Sequence, residues 1–315
     1  MKSNFEYAPV LIPTLCRYEH FSKLIDSLKL CEEAKYTELV IGLDYPPHEK
    51  YTIGWKKIKE FIPTITGFKK VTVFEAARNL GVDENSEVII NYVKEKGYRF
   101  FIYTEDDNVF APNFLSFMNW GLRKYHYNSN VLAICGYNYP INISNYDKSY
   151  FFSHNFAGWG FGTWVDTHNK LTKKVYTKSY CRRVLFNPIN VFNLVRKRGL
   201  RIILSLYRCY KNNQIHWDTF LTVHQFLSGK YSVFPTLTKV RNLGQDGSGQ
   251  NSVYSESNLI KYSKQKLDTD CLFNPPEEVL IAENKEIEQL ILKHFNVNHY
   301  SCKKNIMKFI KKGLC

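Results

Sequence analysis

Glu105, Asp106 and Asp107 stand side by side directly after the apolar run Phe-Phe-Ile-Tyr at 100–103. Three adjacent carboxylates repel one another, and strands disfavour aspartate, so the triplet is poor structure. It suits a hard cation: Mg²⁺ and Mn²⁺ take oxygen ligands, commonly one or two carboxylates completed by substrate phosphates. Taken alone, the triplet also fits a solvated acidic turn. A further carboxylate, Asp218, follows Trp217 and precedes a stretch in which Phe220, Val223, His224 and Leu227 have helical spacing. At that place it serves either as a helix cap or as a base that takes the proton of a weak nucleophile such as a hydroxyl. His216 and His224 are rival bases.

Two glycine-bearing segments could approach a ligand closely. In FAGWGFGTW at 156–164, Gly158 and Gly160 allow near contact of the backbone, and Trp159 offers a flat face to the C–H surface of a sugar. A glycine-rich turn packing tryptophans into the core is the alternative. In VRNLGQDGSG at 240–249 the glycines suit a loop that closes over a nucleotide, and Arg241 at its root suits diphosphate oxygens. No P-loop and no G-x-G-x-x-G follows the first apolar run, so ATPase and dinucleotide readings lose support.

The elements that must position these residues alternate. Apolar runs at 8–15, 38–43, 71–74, 100–103 and 131–135 read as strands, with amphipathic helices between them. Phe21, Leu24, Ile25 and Leu28 mark the first helix; Val88, Ile89, Tyr92 and Val93 mark one that Gly97 stops. A further strand is expected at 231–234. Repeated strand–helix units predict an α/β fold with a mostly parallel sheet flanked by helices. Ligands of such sheets bind beyond the carboxyl ends of the strands, and Arg17, Asp44 and the acidic triplet all fall there.

The segment from Glu105-Asp106-Asp107 through Ala111-Pro112, Phe114 and Phe117 resembles the Glu-Asp-Asp segment of the β-1,2-N-acetylglucosaminyltransferases, inverting, metal-dependent sugar transferases of the GT-A fold. The resemblance extends over roughly residues 8–250 and also includes bacterial polysaccharide glycosyltransferases of that fold. It implies that Asp107 binds the metal bridging the nucleotide diphosphate. Asp106 is then the contact to the donor sugar, and Glu105 the contact to the sugar or ribose. Asp44 faces the base, Arg17 the nucleotide, and Arg78-Asn79 the nucleoside. Gly158-Trp159-Gly160 matches the donor-sugar loop. Trp217-Asp218 matches the catalytic base, an Asp directly after a Trp. The commonest family form has a second acidic residue after that Asp; here Thr219 stands there, so the acceptor side differs. The implied enzyme moves a sugar from a nucleotide-diphosphate donor, a UDP-sugar and by family suggestion UDP-N-acetylglucosamine, with Mn²⁺ or Mg²⁺. Its acceptor is a hydroxyl of a glycan or lipid-linked molecule in bacterial surface-polysaccharide synthesis. A sugar-1-phosphate nucleotidyltransferase is the enzymatic rival, although Leu15-Cys16-Arg17 lacks the glycine-rich first loop it needs.

Charge divides the chain. The net charge is +14, yet residues 1–150 hold equal numbers of basic and acidic side chains, so the whole excess lies in 151–315. No acidic residue occurs from 167 to 217, and a second basic cluster spans 303–312. Basic amphipathic helices lie on anionic membranes, and the rivals are a solvated surface or, without a recognition motif, nucleic acid. A non-enzymatic basic module is thus the third reading, with nucleic acid not expected as a partner. No signal peptide and no apolar stretch of membrane-spanning length is read. The eight scattered cysteines form no metal or disulfide pattern. The expectation is a cytoplasmic protein peripheral to the inner membrane face, with oligomeric state left open. The expected division is a GT-A domain at 1–255 and a helical basic tail at 256–315. Within the domain, 1–135 is the nucleotide-binding part, and 136–255 is the donor-sugar and acceptor part with a basic helical insertion at 167–215.

Overall fold

The computed structural model describes residues 6–249, 256–275 and 278–295. The first apolar run forms β1 (Val10–Thr14), buried throughout, and the predicted stripe is the buried face of α1 (Tyr18–Lys29). β2 (Glu38–Leu43), α2 (Thr52–Phe61), β3 (Lys70–Glu75) and α3 (Gly81–Glu95) follow. Beyond α3, Gly97 takes φ +75°, a left-handed turn that a side chain would resist. β4 (Phe100–Tyr103) runs into the triplet; β5 (Asn108–Phe110), α4 (Phe114–Lys124) and β6 (Val131–Cys135) come next.

Besides the three-residue pair at 108–110 and 240–242, two strands were not predicted: β7 (Tyr150–Ser153) and β8 (Phe161–Trp164). The second lies in the glycine–tryptophan segment, where glycines mask strand periodicity. After them come four helices, α5 (Val165–Lys174), α6 (Lys178–Leu185), α7 (Pro188–Arg198) and α8 (Leu200–Asn212). Asn187 caps α7 by accepting from the amides of Ile189 and Asn190, with Pro188 in the first turn. The chain continues with α9 (Trp217–Ser228), β9 (Tyr231–Pro235), β10 (Val240–Asn242), α10 (Glu256–Ser263) and α11 (Lys285–His294).

The large sheet has the order β3-β2-β1-β4-β8-β6-β9-β7. Its first four strands are parallel, β9 is parallel to β6, and β8 and β7 run antiparallel to their neighbours. This is the expected α/β class, a mostly parallel sheet between helices. Register matters to the site: Thr14 pairs with Leu43, and Leu11 with Tyr103. The carboxyl ends of β1, β2 and β4 therefore share one edge, which carries Arg17, Asp44 and the triplet. β10 pairs antiparallel with β5, setting Asn242 opposite Asn108.

The segment after residue 255, expected as a helical basic tail, includes α10 and α11 and packs back on the main sheet. Phe273 packs edge-on to Phe117 at 4.8 Å, and Ile287 and Ile291 join the core. Lys239 forms a buried ion pair with Asp268. Arg198 of α7, itself buried, pairs with Glu283 at 2.9 Å and with Glu288 of α11. The helical insertion and the end of the described chain are thereby joined. The basic cluster at 303–312 lies outside the described residues. Among the described residues, no helix is long and apolar enough to cross a membrane.

Candidate active site

The triplet lies at the carboxyl end of β4, and Arg17 is drawn into it. The guanidinium donates from Nη1 to Asp107 Oδ2 at 2.7 Å and from Nη2 to Asp106 Oδ1. Asp106 also accepts from Thr14 Oγ1 at 2.8 Å. Both aspartates are about 5% exposed, so their charges depend on these partners. Burial works against the charged guanidinium, but Asp106 and Asp107 overcome it and raise the Arg17 pKa. Burial also raises the Asp106 carboxyl, against the opposing pull of Arg17.

Asp107 is held from the other side by the loop expected to close over a nucleotide. Asn242 Nδ2 donates to Asp107 Oδ1 at 2.8 Å, and the Leu243 amide donates to the Asp107 carbonyl at 2.8 Å. A Cβ on Gly244 would lie 1.9 Å from Asp107 Oδ2, so only glycine lets the loop rest there. His20 pairs with Asp246 at 3.2 Å and ties the loop to α1. Arg241 is one residue away, and its Nε donates to the Gln265 carbonyl at 2.8 Å.

Glu105 differs from its neighbours in being exposed to solvent. Crowding by surrounding protein and then the Asp107 charge push its carboxyl up to about 8. Asp106 and Asp218 add smaller rises, which places Asp218 within electrostatic reach of the triplet. Asp218 is exposed in the first turn of α9, and its Oδ1 accepts from the Thr219 amide at 2.7 Å. The helix begins after His216, so Asp218 is inside the first turn and is not the N-cap. The preceding Trp217 is wedged among Tyr103, Phe161 and His168, with ring centroids 5.1, 5.9 and 5.7 Å away.

The remaining predicted residues surround this centre. Asp44 is buried, and both its oxygens are engaged: Oδ1 accepts from the Tyr45 and Leu80 amides, Oδ2 from the Gly81 amide and Asn79 Nδ2. Its carboxylate organises the loop at 79–81 and the amino end of α3, where negative charge is favoured. Asn79 is exposed beside it, while Arg78 turns outward to Glu84 at 2.5 Å. Gly160 takes φ +67°, its carbonyl accepts from the Gly136 amide at 2.7 Å, and a Cβ there would strike Val240 at 2.9 Å. Gly158 has only Phe156 near its missing Cβ, at 3.9 Å. Trp159 packs edge-on to Tyr137 at 4.8 Å and to Tyr262 at 5.6 Å. The buried Tyr137 hydroxyl has no hydrogen-bond partner among the described residues.

His224 lies elsewhere. It lines a cleft of about 620 Å³ with Arg99, Val131 and Lys230, at the amino ends of β4, β6 and β9. That is the opposite end of the sheet from the triplet.

The donor set fits a hard divalent cation. Each Asp107 oxygen accepts one bond from a protein donor, which leaves a lone pair on each. Glu105 is open, and the Asp107 charge, which adds to desolvation in raising its carboxyl, is what a cation would offset. Among the described residues, no three His, Cys, Asp or Glu side chains converge to enclose a metal by themselves. A cation here would take one or two carboxylates and complete its shell from phosphate and water.

Thr14, Asn242, Gly244 and Tyr137 were not read from the sequence as site residues. Only Asn242 and Gly244 carried a signal, lying in the segment singled out for Arg241.

No protein-family model and no curated protein matches the chain. Among solved structures, the chain is similar to S. aureus TarS, with 12% identity and a TM-score of 0.34 over 55% of this chain and 30% of that one. The chain thus spans under a third of the length of that relative. A shorter form, TarS 1-349, gives 12% identity and a TM-score of 0.39, covering 71% of this chain and 73% of that one. The mannosyltransferase PcManGT from Pyrobaculum calidifontis, in complex with GDP-Man and Mn²⁺, gives 12% identity and a TM-score of 0.35, covering 72% and 73%. Likeness at this level assigns no residue a role.

Proposed function

We propose that the chain is a metal-dependent, inverting glycosyltransferase that moves a sugar from a nucleotide diphosphate to an acceptor hydroxyl. The observation that carries this reading is the meeting, at one sheet edge, of a buried acidic pair bridged by Arg17 with an exposed carboxylate, Asp218, at a helix start. The first arrangement suits a diphosphate and its cation; the second suits proton removal from a hydroxyl.

A bound Mn²⁺ or Mg²⁺ at Asp107 supplies neutralisation of the charge that develops on the leaving diphosphate. Arg17 adds a guanidinium beside the same oxygens. Asp106 and Glu105 face the donor sugar and ribose, and Trp159 with Gly158 and Gly160 forms the sugar's platform. The orphan Tyr137 hydroxyl next to Trp159 is available to a sugar hydroxyl. Asn79, positioned by Asp44, faces the nucleoside with Arg78. The loop at 243–249, with Arg241 at its root, moves off Asp107 to admit the diphosphate and returns over it. Asp218 takes the acceptor proton as the hydroxyl oxygen attacks the anomeric carbon, and the bond to the diphosphate breaks on the opposite face. A single displacement of this kind inverts the anomeric centre.

The donor is a UDP-sugar, UDP-N-acetylglucosamine being the first to try, and the acceptor a glycan or lipid-linked hydroxyl at the inner membrane face. A thermal-shift screen of nucleotide sugars with Mn²⁺ tests donor binding, because a ligand of the native state raises its melting point. Release of nucleoside diphosphate upon turnover supports transfer. Release of pyrophosphate favours a nucleotidyltransferase, and no metal-dependent donor binding sinks the reading.

A further inference from the structure

The helices of the basic insertion turn apolar side chains to solvent. Their inner faces are already satisfied: Cys181 and Val184 of α6, Leu194 and Val195 of α7, and Ile203 and Leu206 of α8 are buried. Outside, Phe186 just past α6 is 73% exposed, and Ile189 and Phe192 on α7, one turn apart, are 69% and 51% exposed. Leu204 and Tyr207 on α8 are exposed as well. Among the described residues, no other segment of comparable length exposes as many large apolar side chains.

Cations lie on the same outer faces. Arg182 and Arg183 precede Phe186 by one turn, Arg196 follows Phe192 by one turn, and Arg201 and Arg208 flank Leu204. All five are exposed, and no carboxylate occurs in the sequence between 167 and 217 to neutralise them. Arg198, the inward-facing exception, is the one paired with Glu283 and Glu288. The pattern therefore separates: the inward cation has acidic partners, and the outward ones lie within a turn of Phe186, Phe192 or Leu204 along their helices, Arg201 also standing near Tyr262 and His294. A nucleic-acid surface needs cations and has no use for protruding aliphatic groups. An anionic bilayer uses both, cations at the headgroups and apolar groups at the acyl boundary.

We propose that α6, α7 and α8 form a face that rests on an anionic lipid bilayer, with Phe186, Ile189, Phe192 and Leu204 entering the headgroup–acyl boundary. The face is joined to the acceptor side of the site. Ser205 of α8 and Thr219 have hydroxyl oxygens 2.7 Å apart, and Thr219 directly follows Asp218. Docking of α8 would thus fix the position of α9, which carries the proposed base, relative to the bilayer. The link to the acceptor rests on the proposed function; bilayer binding does not.

The test is co-sedimentation of the full chain with phosphatidylglycerol-containing vesicles and with neutral phosphatidylcholine vesicles, without donor. Binding to the anionic vesicles only is expected. Phe186→Ser with Phe192→Ser should weaken it at least about tenfold, from lost apolar burial. Arg182→Glu with Arg208→Glu should abolish it. Circular dichroism melts establish that both variants fold, as expected for exposed positions. A tail variant, Lys308→Glu with Lys311→Glu, should keep more than half of the binding. Equal binding to neutral vesicles, no binding, or loss through the tail variant alone overturns the proposal. So does tighter binding to a single-stranded RNA that the arginine variants remove. Vesicle binding without any donor turnover would leave the face standing and reject the enzymatic reading; the reverse result would do the opposite.

Discussion

The indole of Trp217 packs against the phenol ring of Tyr103, with centroids 5.1 Å apart and planes inclined at 55°. Tyr103 ends β4, two residues before Glu105, and Trp217 immediately precedes Asp218. One aromatic contact thus fixes the spacing between the carboxylates assigned to the donor and the one assigned to the acceptor. The Tyr103 hydroxyl is in turn hydrogen-bonded to Ser86 of α3 at 2.8 Å, so the anchor is itself held.

Trp217→Phe should therefore damage catalysis more than binding. A displaced Asp218 misaligns proton removal, and misplacement of about 1 Å costs on the order of a hundredfold in rate. The expected result is a kcat reduced about ten- to a hundredfold with donor affinity within about twofold of wild type. Steady-state kinetics beside calorimetric titration of the donor measure both. An equal loss in the two quantities would show that Trp217 supports the donor pocket instead.

Asp218→Asn keeps size and removes the proposed base. General-base contributions run to about 10²–10⁴-fold, and kcat should fall by that order while metal-dependent donor binding persists. Asp107→Ala should show the complementary pattern, losing the Mn²⁺-dependent part of donor affinity. Unaltered turnover in either variant removes that residue from its role.

The parts of this site legible in the sequence are those with local signatures. Phe100–Tyr103 is fully apolar and then stops at three carboxylates, so both the strand and its acidic end could be read. Trp217-Asp218 was visible for the same reason. The contacts that finish the site are non-local. Thr14 reaches Asp106 and Asn242 reaches Asp107 across most of the domain, through strand register that no short window contains. Strand β8 was hidden because Gly162 interrupts its apolar pattern; a Cβ there would come within 3.0 Å of Met118 and Leu122. The return of 264–295 onto the sheet was not legible either, since it depends on isolated anchors such as Phe273 and Asp268.

Gly244→Ala tests the loop against Asp107. The new methyl would meet a carboxylate that Arg17 and Asn242 hold in place, so the loop must lift. Gly244 is buried, but its loop lies outside the large sheet, so the global fold should survive. Donor KM should rise at least about tenfold, the equivalent of 1.4 kcal/mol, and protease cleavage within 243–249 should quicken. Wild-type KM together with wild-type cleavage would mean that the loop does not rest on Asp107 in solution.

Glu38 gives a pH dependence independent of the site. Burial alone would raise its carboxyl, but hydrogen bonds from Thr72, Tyr98 and Tyr92 outweigh this and hold it at about 2. In the unfolded chain a glutamate titrates near about 4.3. Because the folded value is the lower one, the stabilisation is complete above the unfolded value and is lost as pH falls toward 2. At about 1.4 kcal/mol per unit it amounts to roughly 2–3 kcal/mol. Glu38→Gln should be less stable by that order at pH 7, with a smaller further loss between pH 5 and 2.5. Urea unfolding across that range decides it; parallel pH curves for the two proteins would rule out the assignment.

Arg17 acts as a counter-charge to Asp106 and Asp107, besides its proposed contact to the ligand. Its removal leaves Asp106 and Asp107 buried with their principal cation gone, and breaking such a pair typically costs about 3–5 kcal/mol. Arg17→Met should lower the melting temperature accordingly. The same loss frees Asp107 Oδ2 for a cation, so Mn²⁺ or Mg²⁺ without nucleotide should raise the variant's melting temperature more than the wild type's. Identical metal-induced shifts would mean that the guanidinium and the cation do not compete for these oxygens. In that case Arg17 stays in place when metal binds, and both positive charges face the diphosphate together.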